Sequence, residues 1–404
     1  MNKALPLTGI RVLDLSHSWA APHCGRILAD FGAEVIKIEY VRRLCLLRGA
    51  RKDPEIYNHH PGWLQVNRNK FGITLDLKEA QDRKVFTDLI RISDVLITNS
   101  RTGVMEKLGF GYEDLIQIKK DIIVLSMSSF GNTGPYADYS GYGAVFEALG
   151  GINSLTAYDK DSRPQRIKEM DVTNGSAGAG AVMTALIYRQ KTGQGQYIDL
   201  SQLEAATHAT IGEHLLALEM NADQTLPRGN RHWRYAPQGC YRCKGNDKWA
   251  VITIRTEAEW ARFCDVLRHP EWKEDGRFGS VSGRIANHDA LDRLIEQWTG
   301  ERENIEVMEL LQANKIAAGA VLDVENLGKN RHLNYRGYFV YEEQSPDKRF
   351  LGMPFALSRG SGRVAWRGPE LGRHNEDILC GLLGMSKEDI KPLKEDEIKT
   401  AFDK

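Results

Sequence analysis

The chain has 404 residues and carries 54 Lys plus Arg against 54 Asp plus Glu, so its formal net charge is zero. This length exceeds what a single core commonly supports and predicts two or more domains. The balanced charge, with no basic block, gives no support for binding to nucleic acid or to an anionic membrane surface.

The N-terminal stretch MNKALPLTGIRVLDL lacks the apolar core and the cleavage-type site of a secretory signal. No apolar run approaches the ~20 residues that a bilayer-spanning helix needs. The six cysteines do not have the spacing of a disulfide framework. We therefore expect a soluble, cytoplasmic protein without a membrane partner.

Short apolar strands alternate with helices through the first two hundred residues. The predicted strands are GIRVLDLS, GAEVIKIE, FGITLDL, DVLITNS, DIIVLSMS and QYIDLS. Strands separated by helices indicate βαβ units and an α/β domain with a Rossmann-like parallel sheet, covered by helices on both faces. The first strand-to-helix turn has no G-x-G-x-x-G, and the chain has no P-loop, which disfavours dinucleotide binding and ATP-driven chemistry.

The pattern changes after about residue 222. An antiparallel hairpin and amphipathic helices follow, and strands and glycines return after about residue 335. We therefore predict a large α/β domain formed by residues 1–222 and 335–404. A smaller α+β domain, residues 223–334, interrupts it.

The stretch EMDVTNGSAGAGAVMTAL, residues 169–186, places Asp171 at the start of a helix of small side chains. One interpretation is a helix cap, because a carboxylate accepts hydrogen bonds from the free N–H groups of a first turn. The other is a carboxylate exposed in a cleft, where small residues let another backbone come close. The local sequence leaves both open.

Two other motifs give weak signals. Cys240-Tyr-Arg-Cys243 lies near His232, but a single C-x-x-C without a second pair is a poor zinc signature, so we expect no metal. The chain has no G-x-S-x-G elbow of a serine hydrolase.

Basic and amide residues follow several of the predicted strands, at the edge where open parallel sheets bind ligands. Cations there could hold a phosphate-bearing ligand without a P-loop. The alternative is solvated surface charge. The residues are Asn67, Asn69, Lys70, Asn99, Arg101 and Lys107.

Taken together, the chain resembles the class III CoA-transferases. The similarity rests on phrases that occur in order along nearly the whole sequence: LTGIRVLDLS, LADFGAEVIKIE, NRNKFGITLDL, KLGFGYEDL, SSFGNTGPYAD, RQKTGQGQYIDLSQLEA, PEWKEDGRF, AAGAVLDVENL, GMPFALS and LGRHNEDIL. The resemblance implies a dimer of interlocked rings, or a hetero-oligomer with a paralogous subunit.

The resemblance also implies that Asp171 is the nucleophile, which favours the exposed carboxylate over the cap. In such a mechanism the Asp171 carboxylate attacks an acyl-CoA thioester, and the reaction passes through an anhydride and an aspartyl-CoA thioester. The substrates are an acyl-CoA and a free carboxylic acid, and no cofactor is permanently bound. The implied CoA-binding residues are Ser18, Trp19, Val66, Asn67, Lys70, Asn99, Arg101, Lys107 and Tyr142.

The sequence departs from the family pattern in two places. Trp19 stands where some members carry Gln beside the reacting carbonyl. The glycine loop that shields the active site is reduced to Gly239 in YAPQGCYRC.

The long connection between the second and third strands predicts a substrate pocket, because connections of this length are commonly functional. It carries Arg48, Arg51, His59 and Trp63, and an Arg fork recognises a carboxylate with two hydrogen bonds. The connection resembles that of benzylsuccinate CoA-transferases. It therefore favours succinyl-CoA as donor and a dicarboxylic, aryl-substituted acid as acceptor. The alternative is a surface loop whose Arg residues contact the CoA phosphates or the other subunit.

Two other functions remain open. A 2-methylacyl-CoA racemase shares the fold and pairs an Asp with a His, for which His23 and His59 are the candidates. A catalytically silent CoA-binding partner subunit is the second alternative.

Overall fold

The structure is a computed structural model, which describes residues 5–49, 53–159, 161–220, 227–342, 345–390, 392–393 and 398. The chain forms two compact units. The smaller unit contains residues 154–165 as well as 223–334, although the sequence groups 154–165 with the large domain. The rest of the chain forms the larger unit.

The larger unit contains the predicted parallel sheet, now confirmed with six strands. They are β1 (Arg11–Asp14), β2 (Glu34–Glu39), β3 (Lys70–Thr74), β4 (Val95–Thr98), β5 (Ile123–Ser126) and β6 (Tyr197–Asp199). All neighbouring strands run parallel, in the order β3-β2-β1-β4-β5-β6. The strand order reverses between β1 and β4, and open α/β sheets bind ligands beyond the carboxyl ends of such a pair.

Helices cover both faces of this sheet. Apolar residues of α1 (Ala20–Asp30) and α8 (Met170–Thr192) pack on one face, and those of α4 (Ala80–Arg91), α6 (Tyr112–Ile118) and α17 (Asn375–Leu383) pack on the other. The helices of this part are α1 (Ala20–Asp30), α2 (Pro54–Tyr57), α3 (Pro61–Val66), α4 (Ala80–Arg91), α5 (Val104–Lys107), α6 (Tyr112–Ile118), α7 (Gly143–Leu149), α8 (Met170–Thr192), α9 (Gln202–Thr210) and α10 (Gly212–Glu219).

The smaller unit has its own apolar core under an antiparallel sheet. Its strands are β7 (Gln238–Arg242), β8 (Trp249–Thr253) and β9 (Ala317–Ala320). Its α-helices, within the described residues, are α11 (Glu257–Leu267), α12 (Val281–Ala286), α13 (His288–Gly300), α14 (Asn304–Ala313) and α15 (Val324–Lys329). The chain continues with α16 (Arg331–Tyr335), the hairpin β10 (Phe339–Glu342) and β11 (Ser345–Leu351), and α17 (Asn375–Leu383).

The small residues of α8 let it lie directly against α1. A Cβ at Gly175 would come within 2.5 Å of the Ala20 carbonyl oxygen, and one at Gly178 within 3.0 Å of Met127 Sδ. Real Cβ atoms do not come as close as 2.5 Å to a backbone oxygen, so Gly175 is required for this packing, whereas a Cβ at Gly178 would be tight against the Met127 side chain. The start of α8 is thereby held beside the start of α1.

A buried charge cluster joins the first three strands. Asp14 at the end of β1 is fully buried, and its carboxylate lies 3.2 Å from Lys37 Nζ of β2 and 2.8 Å from Lys70 Nζ of β3. Burial alone would raise the pKa of Asp14, but the two ammonium groups outweigh it and hold this pKa well below its usual range. Burial also lowers the pKa of Lys70 to about 8.

No helix in the described part of the chain is long and apolar enough to cross a membrane.

We expect Asp14→Asn to destabilise the protein by about 3–5 kcal/mol, because the substitution leaves two buried ammonium groups without a counter-charge. Urea unfolding followed by circular dichroism measures this loss. The matched control is Asp88→Asn, which removes a carboxylate from a surface pair with Arg91 and should cost about 1 kcal/mol or less. Equal losses in the two variants would contradict the proposed role of the cluster.

Candidate active site at the start of α8

Asp171 is the second residue of α8, and its carboxylate does not cap the helix. The residue at the N-cap is Glu169, and it makes no side-chain capping hydrogen bond. Among the described residues, no hydrogen bond or ion pair engages the Asp171 carboxylate. Both oxygens are therefore free to react.

The start of α7 lies directly against this carboxylate. A Cβ at Gly143, the first residue of α7, would come within 3.1 Å of Asp171 Oδ2 and 3.8 Å of Arg166 Nη2. Tyr142 precedes Gly143 and is 63% exposed. The start of α7, the residues before α8 and the nucleophile candidate thus meet at one place. Neither Gly143 nor Arg166 is among the site residues that the sequence predicts.

Two charged residues act on Asp171 in opposite directions. Burial raises the pKa of Asp171, Arg166 lowers it, and Glu147 of α7 raises it further. The net shift is upward. Arg166 Nε donates to Glu147 Oε2 at 3.2 Å, and the backbone N–H of Lys168 donates to Glu147 Oε1 at 3.0 Å. The only sequence signal for this pair is a basic residue five positions before Asp171.

The loops after β1 and β4 are tied together at the strand-order reversal. The His17 backbone N–H donates to Asn99 Oδ1, and Asn99 Nδ2 donates to the His17 carbonyl oxygen, both at 2.8 Å. Ser18 has a left-handed backbone with φ of 64°, and Trp19 follows it. Both are partly exposed, so the loop after β1 presents them at the sheet edge.

Arg101 and Lys107 are exposed near the same edge. Arg101 follows β4, and Lys107 is the last residue of α5. Their side chains are therefore accessible at this edge, and their predicted role in CoA binding stays a prediction.

Three other predicted CoA-binding residues point elsewhere. Val66, Asn67 and Lys70 are fully or almost fully buried. Lys70 Nζ donates to Asp14, to Asn67 Oδ1 at 2.9 Å and to the Pro22 carbonyl oxygen at 2.7 Å. The reason for the difference is that a buried Lys needs a counter-charge, and Asp14 supplies one inside the sheet.

Arg48 and Trp63 do not line an open pocket either. Arg48 is fully buried, with Nη2 2.6 Å from Glu39 Oε2, and its guanidinium stacks 3.7 Å from the Trp63 ring centre. Trp63 Nε1 donates to the Pro369 carbonyl oxygen at 2.8 Å. The long connection thus fills a core with the C-terminal part of the chain, a partner that its local sequence does not reveal.

The remaining pocket candidates are His59, Gly239 and Arg51. His59 pairs with Glu55 at 3.3 Å and Glu370 at 3.7 Å. Gly239 lies in strand β7 of the smaller unit, where a Cβ would come within 2.7 Å of the Tyr241 ring. Arg51 lies outside the described residues.

The described part of the chain contains no cluster of three or more His, Cys, Asp or Glu side chains that could hold a metal ion. His23 of α1 packs against Gly175, and burial lowers the pKa of this imidazole to about 3. It is therefore neutral at physiological pH.

Comparison with known proteins identifies close relatives along the whole chain. The chain is 32% identical over 396 residues to the succinyl-CoA–L-malate CoA-transferase beta subunit of Chloroflexus aurantiacus, covering 96% of this chain and 97% of that protein. It is 31% identical over 398 residues to succinyl-CoA–D-citramalate CoA-transferase of the same organism, covering 96% and 97%. Formyl-CoA:oxalate CoA-transferase of Bradyrhizobium diazoefficiens is 32% identical over 420 residues, with 96% of each chain covered.

The fold agrees with these relatives. A crystal structure of a CaiB/BaiF family protein from Brucella suis is similar with a TM-score of 0.84 and 27% identity, covering 94% of this chain and all of that one. The family model of CoA-transferase family III matches residues 7–375. The chain therefore belongs to CoA-transferase family III, as its sequence motifs predict.

Proposed function

We propose that this CoA-transferase moves CoA from succinyl-CoA to a dicarboxylic acid, with Asp171 as the covalent carrier. The observation that carries the proposal is the Asp171 carboxylate, which lies free of hydrogen bonds and ion pairs among the described residues at a glycine-lined junction. Burial raises its pKa, which makes the carboxylate more basic and a better nucleophile once it is ionised.

The exchange runs through four attacks. Asp171 attacks the donor thioester, CoA leaves as a thiolate, and an anhydride forms. The thiolate attacks the aspartyl carbonyl and releases the donor acid, which leaves an aspartyl-CoA thioester. The acceptor carboxylate attacks this thioester and displaces the thiolate, which then attacks the acceptor's carbonyl. Asp171 is regenerated, and no proton or electron is consumed.

The exposed part of the predicted CoA site supports this chemistry. Arg101 and Lys107 can neutralise the phosphates, because both are charged and exposed near the carboxyl ends of the strands. Ser18 and Trp19 belong to the loop after β1, and Tyr142 adjoins Gly143 beside Asp171. The thioester end of CoA would lie among these three. Lys70 and Asn67 contribute indirectly, because Lys70 Nζ donates to both Asp14 and Asn67 inside the sheet.

The choice of substrates rests on the relatives. Two of them are named for succinyl-CoA, with malate or citramalate as the second acid, and both of these acids carry two carboxylates. Trp19 supplies an aromatic side chain at the edge where the reacting end lies, which keeps an aryl-substituted succinate such as benzylsuccinate among the acceptors. Because Arg48 and Trp63 are buried, they give this choice no support.

We also infer that the chain acts as a homodimer. Val172, Met183 and Ile187 of α8 are about half exposed, as are Leu215 and Leu216 of α10. Apolar faces of this extent on soluble proteins commonly contact a partner. Light scattering of the purified chain distinguishes a homodimer from a monomer that needs a second, paralogous subunit for activity.

The racemase alternative has less support. Proton transfer at an α-carbon requires a histidine that reaches the substrate. His23 is buried against Gly175, and His59 pairs with two glutamates. Exchange of α-protons with solvent deuterium, without CoA transfer, would favour the racemase.

We expect Asp171→Asn and Asp171→Ala to abolish transfer while CoA still binds, because neither side chain can form the anhydride. Hydroxylamine added during turnover of the wild type should convert Asp171 to a hydroxamate, which mass spectrometry detects. Substantial turnover of Asp171→Ala would exclude Asp171 as the carrier.

We expect Arg101→Gln to weaken CoA binding by about 1.5–3 kcal/mol, the value of a charged hydrogen bond. Isothermal titration calorimetry with CoA measures the change. Lys120→Gln is the control. Lys120 is an exposed cation shortly before β5, so it lies at the amino ends of the strands, away from the predicted CoA site. Unchanged affinity in Arg101→Gln would contradict the CoA assignment.

The substrate proposal predicts that succinyl-CoA supports transfer to succinate, malate, citramalate or benzylsuccinate faster than to formate or acetate. A panel of these acids with succinyl-CoA and acetyl-CoA, analysed by mass spectrometry, tests it. Activity confined to the monocarboxylic acids would refute the dicarboxylate proposal and leave the transferase assignment intact.

A further inference from the structure

Arg166 has a guanidinium with one edge anchored and the other open. Its Nε and Nη2 donate to the two oxygens of Glu147 at 3.2 and 3.4 Å. Among the described residues, Nη1 has no hydrogen-bond partner. A guanidinium has five N–H donors in a planar fork, so the edge formed by Nη1 and Nη2 remains available to a second carboxylate.

Glu147 holds Arg166 from a position that is shielded from water. The Glu147 side chain is fully buried, whereas that of Arg166 is 46% exposed. Glu147 also accepts the backbone N–H of Lys168 at 3.0 Å, which fixes its position from a second direction. The pair therefore holds a half-exposed cation in one orientation.

The open cation lies beside the nucleophile without engaging it. Nη2 of Arg166 and Oδ2 of Asp171 both lie within 4 Å of the Cβ position at Gly143. Among the described residues, Asp171 forms no ion pair, and the ion pair that Arg166 forms is with Glu147. Glu147 thus keeps the guanidinium from closing on Asp171, which would occupy the oxygens of the nucleophile.

We propose that Arg166 holds the reacting carboxylate of the free acid beside Asp171, and that Glu147 is the residue that positions Arg166. This inference rests on the proposed covalent role of Asp171. In the aspartyl-CoA state Asp171 carries no charge, so the free edge of Arg166 can pair with the incoming carboxylate. That carboxylate attacks the aspartyl carbonyl through one oxygen, the C–S bond breaks, and CoA leaves as a thiolate. The released acid occupies the same place in the reverse step.

This arrangement addresses a problem that the reaction poses. Each half of the exchange joins one acid to Asp171 through an anhydride, and a free carboxylate either enters this place or leaves it. A fixed cation there stabilises the negative charge of the entering or leaving carboxylate. Because every acid presents the same reacting carboxylate, the effect of Arg166 does not depend on the rest of the acid.

The test is exchange of isotope-labelled succinate into succinyl-CoA, with Michaelis constants determined separately for both. Arg166→Gln should raise the Michaelis constant for succinate about ten-fold or more, the loss expected for a charge-assisted hydrogen bond. The constant for succinyl-CoA should stay within about two-fold, since CoA contributes most of its contacts. Arg163→Gln, which removes an exposed charge three residues away, should leave both constants unchanged. Guanidinium ion added to the assay should partly reverse the increase in the Michaelis constant of Arg166→Gln for succinate.

The Glu147→Gln variant is tested through the pH dependence of the rate, which a merely structural role of Glu147 would leave unchanged. Glu147 raises the pKa of Asp171 and Arg166 lowers it, and these are the charged groups that act on this carboxylate. The acid limb of the rate profile should therefore move to lower pH in Glu147→Gln and to higher pH in Arg166→Gln. Limbs that move together, or do not move, would overturn the assignment.

Failure of this inference differs from failure of the proposed function. If the wild type forms the aspartyl-CoA adduct on Asp171 and Arg166→Gln keeps its affinity for succinate, the role of Arg166 is wrong and the transferase mechanism stands. If the wild type forms no adduct and catalyses no exchange, both are wrong. A changed preference of Arg166→Gln between succinate and acetate would also overturn the proposal, because Arg166 would then contact the distal carboxylate.

Discussion

The close packing of α8 on α1 determines where the Asp171 carboxylate lies. Gly175 meets the Ala20 carbonyl oxygen at a distance that excludes any side chain. Asp171 lies one helical turn earlier on the same helix, so this contact holds it beside the loop after β1. Since that loop adjoins the strand-order reversal, the packing of two helices carries Asp171 to the edge where a parallel sheet binds its ligand.

The same edge is stabilised from inside by the Asp14 cluster. One carboxylate joins side chains from three adjacent strands, and burial makes the loss of any partner costly. The cluster therefore ties the carboxyl end of β1 to Lys37 within β2 and to Lys70 at the start of β3. The loop carrying Ser18 and Trp19 starts from this fixed base, and Arg101 and Lys107 remain exposed near the same edge.

The electrostatics at Asp171 meet two requirements that its proposed role as a nucleophile would impose. The group must be ionised, and its oxygens must not be tied to a cation. Burial and Glu147 raise its pKa, while Arg166 counters them from a position where Glu147 already holds it. A free Arg at this distance would tend to form a bidentate pair with Asp171. Glu147 thus keeps Arg166 from pairing with Asp171.

The sequence by itself determined the fold class, the family and the identity of the candidate nucleophile. Alternating strands and helices specify a parallel sheet because their periodicity is local, and family phrases such as RQKTGQGQYIDLS are read directly. The tertiary structure alone decided which charges face a ligand. Lys70 and Arg48 look like exposed cations in sequence, but their partners Asp14 and Glu39 lie 56 and 9 residues away. Arg166, Glu147 and Gly143 join Asp171 only because α7 and α8 pack together, and no local pattern records a contact between separate helices.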